Sequence, residues 1–203
     1  MNEVIVMENL HNALHGSDFI NNCMKLITML ADHGLIWILL GAIMLCFKRT
    51  RTSGFIMLCA LALGFVLNDF IIKNIFARSR PFVESGVLYE WLAGTGYKFP
   101  SGFSFPSGHS VTSFACAVVL LFFYKKRALP ALSVAILIAF SRAFMCVHFI
   151  SDVVGGAIIG VLVALLVVAY YKLVWNDVER FLYKTKFAFK KFINKKKTQK
   201  DHA

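Results

Sequence analysis

Two histidines and one aspartate stand next to long apolar runs, and their spacing suits acid–base or nucleophilic chemistry. His148 and Asp152 are four residues apart, so on a helix they share one face and the carboxylate can hydrogen bond one imidazole nitrogen. Such a bond fixes the imidazole tautomer and leaves the other nitrogen available as a nucleophile or base. His109 falls in the first turn of another expected apolar helix, where it adds a titratable proton donor.

Basic residues near the same level favour an anionic ligand. Lys73 and Arg80 are seven residues apart, about two helical turns, so both project to one side if the helix persists. Pro81 favours a break in that helix. An ordinary run of basic residues at a membrane interface would also explain these cations, and Arg78 is interpreted as peripheral. Asp69, four residues before Lys73, is expected to pair with it.

The segment Pro106-Ser107-Gly108 has the composition of a helix start that binds anions. Serine is a preferred N-cap residue, glycine lets a backbone approach closely, and the free N–H groups of a first turn attract negative charge. A near-repeat at 99–103 (FPSGF) has Phe where the histidine would be needed, so it is predicted to be loop structure. Arg142, six residues before His148, completes a polar face with His148 and Asp152.

The composition identifies the environment in which these residues act. Of 203 residues, 58% are hydrophobic and only 16% are charged, yet the net charge is +11 and the mean hydropathy is +0.67. Disordered chains and nucleic-acid-binding domains need more polar residues and fewer long apolar runs. An integral membrane protein remains, with room for about five or six spans. The five cysteines are interpreted as small hydrophobic residues rather than as disulfide partners or zinc ligands.

Five apolar runs are predicted to span the membrane, at 34–47, 54–72, 109–124, 128–147 and 153–174. The last contains Gly156 and Gly160, a pair of small residues suited to close helix contact. Residues 19–31 fit either an interfacial amphipathic helix or the first half of a long or bent opening helix. The expected fold is an all-α, polytopic transmembrane helix bundle of five to six spans, with a long loop at 73–108.

The remaining cations predict the orientation of the bundle. Most of the 22 Lys and Arg residues lie in three clusters, at 48–51, at 125–127 and from 172 onward. Alternating spans bring all three to one side, which the positive-inside rule makes the cytoplasm. We therefore expect one transmembrane domain over 1–174, in which 1–33 is an interfacial or extra helix, and a basic cytoplasmic tail over 175–203. The tail is either solvated or a helix on anionic lipid.

The three clusters together resemble the tripartite signature of the type-2 phosphatidic acid phosphatase superfamily. The matching motifs are Lys73-X6-Arg80-Pro81, Pro106-Ser107-Gly108-His109 and Ser141-Arg142-X5-His148-X3-Asp152, complete and in order. The resemblance covers residues 73–152 and leaves out the N-terminal 33 residues and the basic tail. Lipid phosphate phosphatases belong to this group, and vanadium haloperoxidases and glucose-6-phosphatase are related to it. Predicted transmembrane spans argue against a haloperoxidase.

The resemblance implies a metal-independent phosphatase that works through a phosphohistidine and needs no cofactor. His148 would attack phosphorus, Asp152 would orient it, and His109 would protonate the leaving oxygen and then activate water. The non-bridging oxygens would be held by five residues: Lys73, Arg80, Ser107, Gly108 and Arg142. No carboxylate cluster suits Mg²⁺, since Asp152 is committed to His148.

The expected substrate is a membrane lipid phosphate met at the extracytoplasmic surface of a bacterial plasma membrane. Undecaprenyl diphosphate is favoured, and phosphatidylglycerophosphate, phosphatidic acid and lipid A 1-phosphate are alternatives. A different class, a catalytically silent lipid-binding or transport protein, would be marked by loss of His109, Arg142 or His148, all of which are present. No nucleic-acid partner is expected, and the oligomeric state stays open.

Overall fold

The computed structural model is all-α over the backbone that it describes, residues 3–14 and 16–200, with side chains described as far as residue 175. This confirms the predicted fold class. The helices are α1 (Glu3–Leu14), α2 (Asp18–Leu30), α3 (Leu35–Leu45), α4 (Arg51–Val66), α5 (Lys73–Phe76), α6 (Pro81–Glu84), α7 (Gly86–Gly94), α8 (Gly108–Tyr124), α9 (Leu129–Phe144) and α10 (Ile150–Lys200). A π-helical turn, Leu67–Ile72, joins α4 to α5.

Three helical stretches are long and apolar enough to cross a membrane: Arg51–Glu84, Gly108–Phe144 and Ile150–Trp175. Helices α2 and α3 make a fourth candidate, bent by 47° at the break between them. This geometry is compatible with a bent opening helix, and the two alternatives for residues 19–31 both stay predictions. The stretch Gly108–Phe144 consists of α8 and α9 joined at 125–128. The start of α8 and the end of α9 line the same cavity, which shows that the chain turns back between them. The number of spans stays a prediction.

Helix α8 forms the centre of the bundle. Its Val111, Ala115 and Val119 are completely buried, and α4 and α9 pack against it. Helix α10 approaches it closely: a Cβ at Gly156 would lie 2.7 Å from the carbonyl oxygen of Ser107. The close contact predicted from the small-residue pair is therefore present. This contact brings α8, which carries His109, against α10, which begins two residues after His148.

Large apolar side chains cover the outer faces of α4, α9 and α10 within the described residues. They include Phe55, Phe65, Ile136, Phe140, Leu162 and Leu165. Exposure of so many apolar side chains is costly in water but matches a hydrocarbon environment. The outer surface thus agrees with the membrane-spanning character of the helices.

The segment 73–108 is not a simple loop, contrary to the sequence prediction, because it contains the short helices α6 and α7. Leu88 and Leu92 of α7 are completely buried in an apolar cluster that also takes in Met7 of α1. Ser85 caps α7 by accepting the Leu88 N–H at 3.3 Å, and it donates to Glu8 of α1 at 2.6 Å. Helices α1, α6 and α7 therefore form a small cap, and its apolar cluster is shared with the end of α9 and the turn before α10, through Phe144–Val147 and Phe149.

Two of the basic clusters lie at the end of the bundle away from this cap. Thr50 and Arg127 line a second cavity of about 330 Å³, and Ser53 hydrogen bonds the Tyr124 hydroxyl at 2.5 Å. The clusters at 48–51 and 125–127 thus share one side of the bundle, as the topology requires. Which side faces the cytoplasm stays a prediction.

The chain divides into two compact units, residues 1–167 and 168–203. Every predicted site residue belongs to the first unit. The second begins within α10, which continues without interruption through the predicted domain boundary at 174/175. That boundary stays a prediction, and the side chains of the basic tail lie outside the described residues.

Candidate active site

Six of the eight predicted site residues line one cavity of about 810 Å³ next to the cap: Lys73, Arg80, Gly108, His109, Arg142 and His148. The other two, Ser107 and Asp152, are completely buried beside it, and the Ser107 N–H donates to the carbonyl oxygen of Asp152 at 3.1 Å. The cavity therefore gathers three predicted cations, both predicted histidines and the start of a helix from segments that are distant along the chain. Lys98 and His33 line it as well.

Lys73 reaches the cavity from the start of α5. The helix does not persist to Arg80, because α5 ends at Phe76 and Ala77 takes a left-handed conformation with φ 44°. The two cations therefore do not share a helix face, and they meet only because the chain bends back into the cavity. Lys73 forms an ion pair with Asp69, as expected, and its Nζ would lie 3.7 Å from a Cβ on Gly108.

Arg80 is fixed by backbone carbonyl oxygens. Its Nε donates to Gly102 at 2.9 Å, its Nη1 to Val147 at 2.9 Å, and its Nη2 to Ser101 at 3.2 Å and Phe103 at 3.1 Å. The near-repeat at 99–103 is loop structure, as predicted. Three of its carbonyl oxygens orient the Arg80 guanidinium. An arginine held in this way keeps its position before any anion arrives.

His148 and Asp152 do not lie together on one helix. His148 precedes α10, which begins at Ile150, and 3.6 Å separates its Nδ1 from Oδ2 of Asp152. The Ser104 hydroxyl lies between them, 3.4 Å from Nδ1, and donates to Oδ2. The predicted direct hydrogen bond is thus replaced by a contact through serine. The other ring nitrogen, Nε2, faces the cavity 3.2 Å from Nη1 of Arg80.

Asp152 is held by groups that the sequence interpretation did not include. Its Oδ2 accepts the Phe149 N–H at 2.8 Å, and its Oδ1 pairs with Nη1 of Arg78 at 2.7 Å. Arg78 also binds Ser151 at 2.7 Å and forms an ion pair with Glu3 of α1. The interpretation of Arg78 as peripheral was therefore wrong. A cation near a bilayer is costly, and this signal could have placed Arg78 among the predicted site residues. No sequence pattern indicates that Ser104 belongs to the site.

The start of α8 presents unused donors. Ser107 occupies the N-cap position but makes no capping bond, and its Oγ is buried without a hydrogen-bond partner. His109, in the first turn, contacts the cavity, and its Nε2 lies 3.0 Å from Oδ1 of Asp32. This contact between His109 and Asp32 was not predicted from sequence.

Arg142 lies in the last turn of α9, and it is only 2% exposed. Its Nη1 donates to the Tyr97 hydroxyl at 2.8 Å and to the hydroxyl of Thr28, while its Nε has no partner. Buried donors of this kind are costly unless a ligand or water satisfies them. The guanidinium is therefore both oriented and incompletely satisfied.

The cavity is electropositive, and this determines the charge state of His148. Complete burial, followed by the positive charges of Arg80, Arg142 and Lys73, lowers the pKa of the His148 imidazole well below its ordinary value. Both causes disfavour the imidazolium. The neutral imidazole is thereby favoured, and with a proton on Nδ1 its Nε2 lone pair accepts an Nη1–H of Arg80.

Comparison with known proteins identifies the family. The model of the PAP2 superfamily matches residues 53–176, more than half of the chain. This protein belongs to the PAP2 superfamily. The resemblance inferred from the three motifs is thereby confirmed, and all three motifs lie within the matched region.

Two curated relatives match about two thirds of the chain. The chain is 31% identical over 139 residues to an undecaprenyl-diphosphatase of Sulfolobus acidocaldarius, covering 66% of this chain and 64% of that protein. It is 29% identical over 142 residues to phosphatidylglycerophosphatase B of Bacillus subtilis, covering 64% of this chain and 63% of that protein. Each match spans slightly less than two thirds of the relative's own length.

Solved structures show the same fold. The PAP2-type phosphatidylglycerolphosphate phosphatase of Bacillus subtilis superposes with a TM-score of 0.61 at 25% identity, covering 84% of each chain. LpxE of Aquifex aeolicus gives a TM-score of 0.65 at 24% identity over 81% of this chain and 93% of that one. A bacterial vanadium-dependent iodoperoxidase gives 0.62 at 18% identity over 82% of this chain and 48% of that one.

The arrangement of this PAP2 site suits chemistry on an anion. Four cations, Lys73, Arg80, Lys98 and Arg142, line one cavity with His109 and His148, and Nε2 of His148 lies 3.2 Å from Nη1 of Arg80. Among the described residues, no group of three or more His, Cys, Asp and Glu side chains is arranged to hold a metal ion. The groups that line the cavity are those that bind and polarise a phosphate.

Proposed function

We propose that this PAP2 protein is a membrane lipid phosphatase that removes the terminal phosphate of a lipid diphosphate or monophosphate through a phosphohistidine at His148. The observation that carries the proposal is the position of Nε2 of His148, 3.2 Å from the Arg80 guanidinium, in a cavity shared with Lys73, Arg142 and His109. A phosphate bound by these cations would meet the lone pair of a neutral imidazole.

The first chemical step transfers the phosphoryl group to His148. Nε2 attacks phosphorus, the bond from phosphorus to the leaving oxygen breaks, and His109 gives that oxygen a proton. The proton on Nδ1 points toward Ser104 and Asp152, which stabilise the positive charge that develops on the ring. Their contacts, at 3.4 Å and 3.6 Å, support this assignment of the tautomer.

The second step hydrolyses the phosphohistidine. His109, now neutral, takes a proton from water as the water oxygen attacks phosphorus, and the bond between phosphorus and Nε2 breaks. Inorganic phosphate leaves, and both histidines return to their starting states. Lys73, Arg80 and Arg142 neutralise charge on the non-bridging oxygens in both steps, with Ser107 and Gly108 as neutral donors. No step needs a metal ion.

We propose undecaprenyl diphosphate as the substrate, since the relative from Sulfolobus acidocaldarius carries that activity in its name. Phosphatidylglycerophosphate is the second candidate, because one curated relative and one protein of solved structure, both from Bacillus subtilis, are named for it. Both are lipids whose phosphate lies at headgroup level, where the cavity between the cap and the helix ends would meet it. The two differ in the leaving group, a phosphate in one and an alcohol in the other.

The proposed location is a bacterial plasma membrane, with the cavity facing outside and the basic clusters in the cytoplasm. The test is a Gly94→Cys variant in which Cys46, the exposed native cysteine, is replaced by Ser. A Cβ at Gly94 meets no atom within 4 Å, so the substitution does not disturb the cap. An impermeant thiol reagent should label intact cells from outside, and labelling only after lysis would reverse the orientation.

The activity is tested by phosphate release from undecaprenyl diphosphate, phosphatidylglycerophosphate and phosphatidic acid, with detergent-purified protein and with or without EDTA. We expect release that EDTA does not affect, fastest with the diphosphate. Release from none of the three lipids would contradict the proposal. A His148→Ala variant should release none and take up no label from a ³²P-labelled substrate, whereas wild type should hold an acid-labile phosphoryl group.

A further inference from the structure

A carboxylate outside the three signature motifs contacts the second histidine of the site. Oδ1 of Asp32 lies 3.0 Å from Nε2 of His109, although 77 residues separate them, and both side chains line the large cavity. We propose that Asp32 is a positioning residue that acts through His109 during the proton transfers of the reaction. This inference rests on the proposed phosphatase function.

The turn between α2 and α3 directs the Asp32 carboxylate into the cavity. Asp32 begins a short turn, and the next two residues are left-handed, His33 with φ 52° and Gly34 with φ 74°. A left-handed conformation is uncommon for residues other than glycine, although histidine adopts it more often than most. The backbone carbonyl of Asp32 accepts the Leu35 N–H, and its side chain caps neither neighbouring helix. Its contact with His109 is therefore not a by-product of helix capping.

The contact divides the two ring nitrogens of His109 between two tasks. A carboxylate on Nε2 keeps a proton there in both charge states of the ring, as in other carboxylate–histidine pairs. Nδ1 is then the nitrogen that gives its proton to the leaving oxygen and later takes one from water. Asp32 keeps its charge throughout, so no proton is gained or lost at the carboxylate. It would also stabilise the imidazolium that gives its proton to the leaving oxygen in the first step and forms again when water gives up a proton in the second.

The charge of Asp32 separates this role from a role in binding. An anionic side chain in a cavity that binds phosphate repels the substrate, so electrostatics alone predict that Asp32→Asn lowers KM and leaves kcat unchanged. A positioning role predicts the opposite, a fall in kcat. Asp32→Glu keeps the negative charge and can still contact the His109 ring. Its kcat should therefore lie between those of Asp32→Asn and wild type.

The experiment is a double-mutant cycle with Asp32→Asn and His109→Ala, measured as kcat and KM on the best of the three lipid substrates. General acid–base catalysis contributes about 10²- to 10⁴-fold, so we expect Asp32→Asn to lower kcat about 10- to 100-fold. In the His109→Ala background the same substitution should change kcat less than twofold, because Asp32 acts only through the ring. Asp18→Asn, which removes an exposed carboxylate from the same bent helix pair, is the matched control.

A second measurement does not depend on turnover. The ¹⁵N shifts of the His109 ring, assigned by difference from a His109→Gln sample, report which nitrogen is protonated. Wild type should show Nε2 protonated, and Asp32→Asn should lose that preference. If wild type is active and Asp32→Asn matches it in kcat, this inference is overturned and the phosphatase function stands. If wild type releases phosphate from no lipid, the proposed function fails, and the catalytic role of Asp32 fails with it.

Discussion

Gly160 marks the closest approach between α8 and α10, and we expect an alanine there to force the two helices apart. A Cβ on Gly160 would lie 2.4 Å from the carbonyl oxygen of Val111, 3.0 Å from Cβ of Phe114 and 3.1 Å from the amide nitrogen of Ala115. These atoms belong to the backbone or are fixed to it. No side-chain rotation can therefore relieve the contact.

The distances give the size of the effect. Ordinary contacts of a Cβ begin at 3.4 Å, so the helices must separate by about 1 Å, an overpacking that typically costs about 1–3 kcal/mol. For a chain of this size, each kcal/mol lowers the unfolding temperature by about 2–4 °C. His109 is carried by α8, and Asp152 is carried by α10, so the same movement displaces the two halves of the site. A misplacement of about 1 Å can lower turnover about 100-fold.

Thermal unfolding in detergent and phosphate release are measured on Gly160→Ala, Gly156→Ala and Gly94→Ala. In Gly156→Ala the nearest backbone atom to the new Cβ is the Ser107 carbonyl oxygen, at 2.7 Å. The overlap is smaller than in Gly160→Ala, so the unfolding temperature should fall less. Because Ser107 belongs to the site, turnover should fall more for each degree of unfolding temperature lost. Gly94, with no atom within 4 Å of its Cβ, is the control and should be at least as stable as wild type. Equal unfolding temperature and turnover in Gly160→Ala and wild type would refute the reasoning.

Two further predictions concern the groups around Asp152. Arg78→Met should lower both stability and kcat, because it leaves the completely buried carboxylate without its cation; breaking a buried pair costs about 3–5 kcal/mol, and the partial exposure of Arg78 favours the lower end. Wild-type behaviour of that variant, with Arg51→Met at the far end of the bundle as control, would contradict the assignment. His148→Asn should change how the free energy of unfolding depends on pH. The pKa of His148 is lower in the folded than in the unfolded protein. As the pH falls through about 6.5, the unfolded chain therefore binds a proton at this position before the folded protein does. The stability due to neutral His148 is present above that pH and is lost below it by up to about 1.4 kcal/mol per pH unit, so a difference in unfolding temperature between wild type and variant that stays constant from about pH 8 to about pH 5 would exclude this effect.

The apolar runs predicted the helices because the signal is local. Runs at 109–124 and 128–147 correspond to α8 and α9, and the run at 54–72 corresponds to α4 with its π-helical turn. The cap was missed because α6 and α7 are too short to produce a clear periodicity. Their stability comes from packing against Met7 and against Phe144–Val147 and Phe149, all of which are far away in sequence.

The motifs identified the residues that line the cavity, but not the residues that hold them. Lys73 and Arg80 were expected to share a helix face, and they meet instead because the helix ends between them. The contacts from Ser104, Arg78 and Asp32 each cross more than 40 positions. Spacing along the chain cannot indicate such contacts, because they are set by how the helices pack.

The order in which the site residues occur along the chain has a consequence for biosynthesis. Asp32 lies in the first bent helix pair, Arg80 and the loop that holds it lie in the middle, and Asp152 lies at the start of α10. A nascent chain therefore carries the cations and His109 before it carries the carboxylate that fixes His148. On the proposed mechanism the site is complete only after the start of α10 has been synthesised, so we expect a product truncated before Asp152 to be inactive.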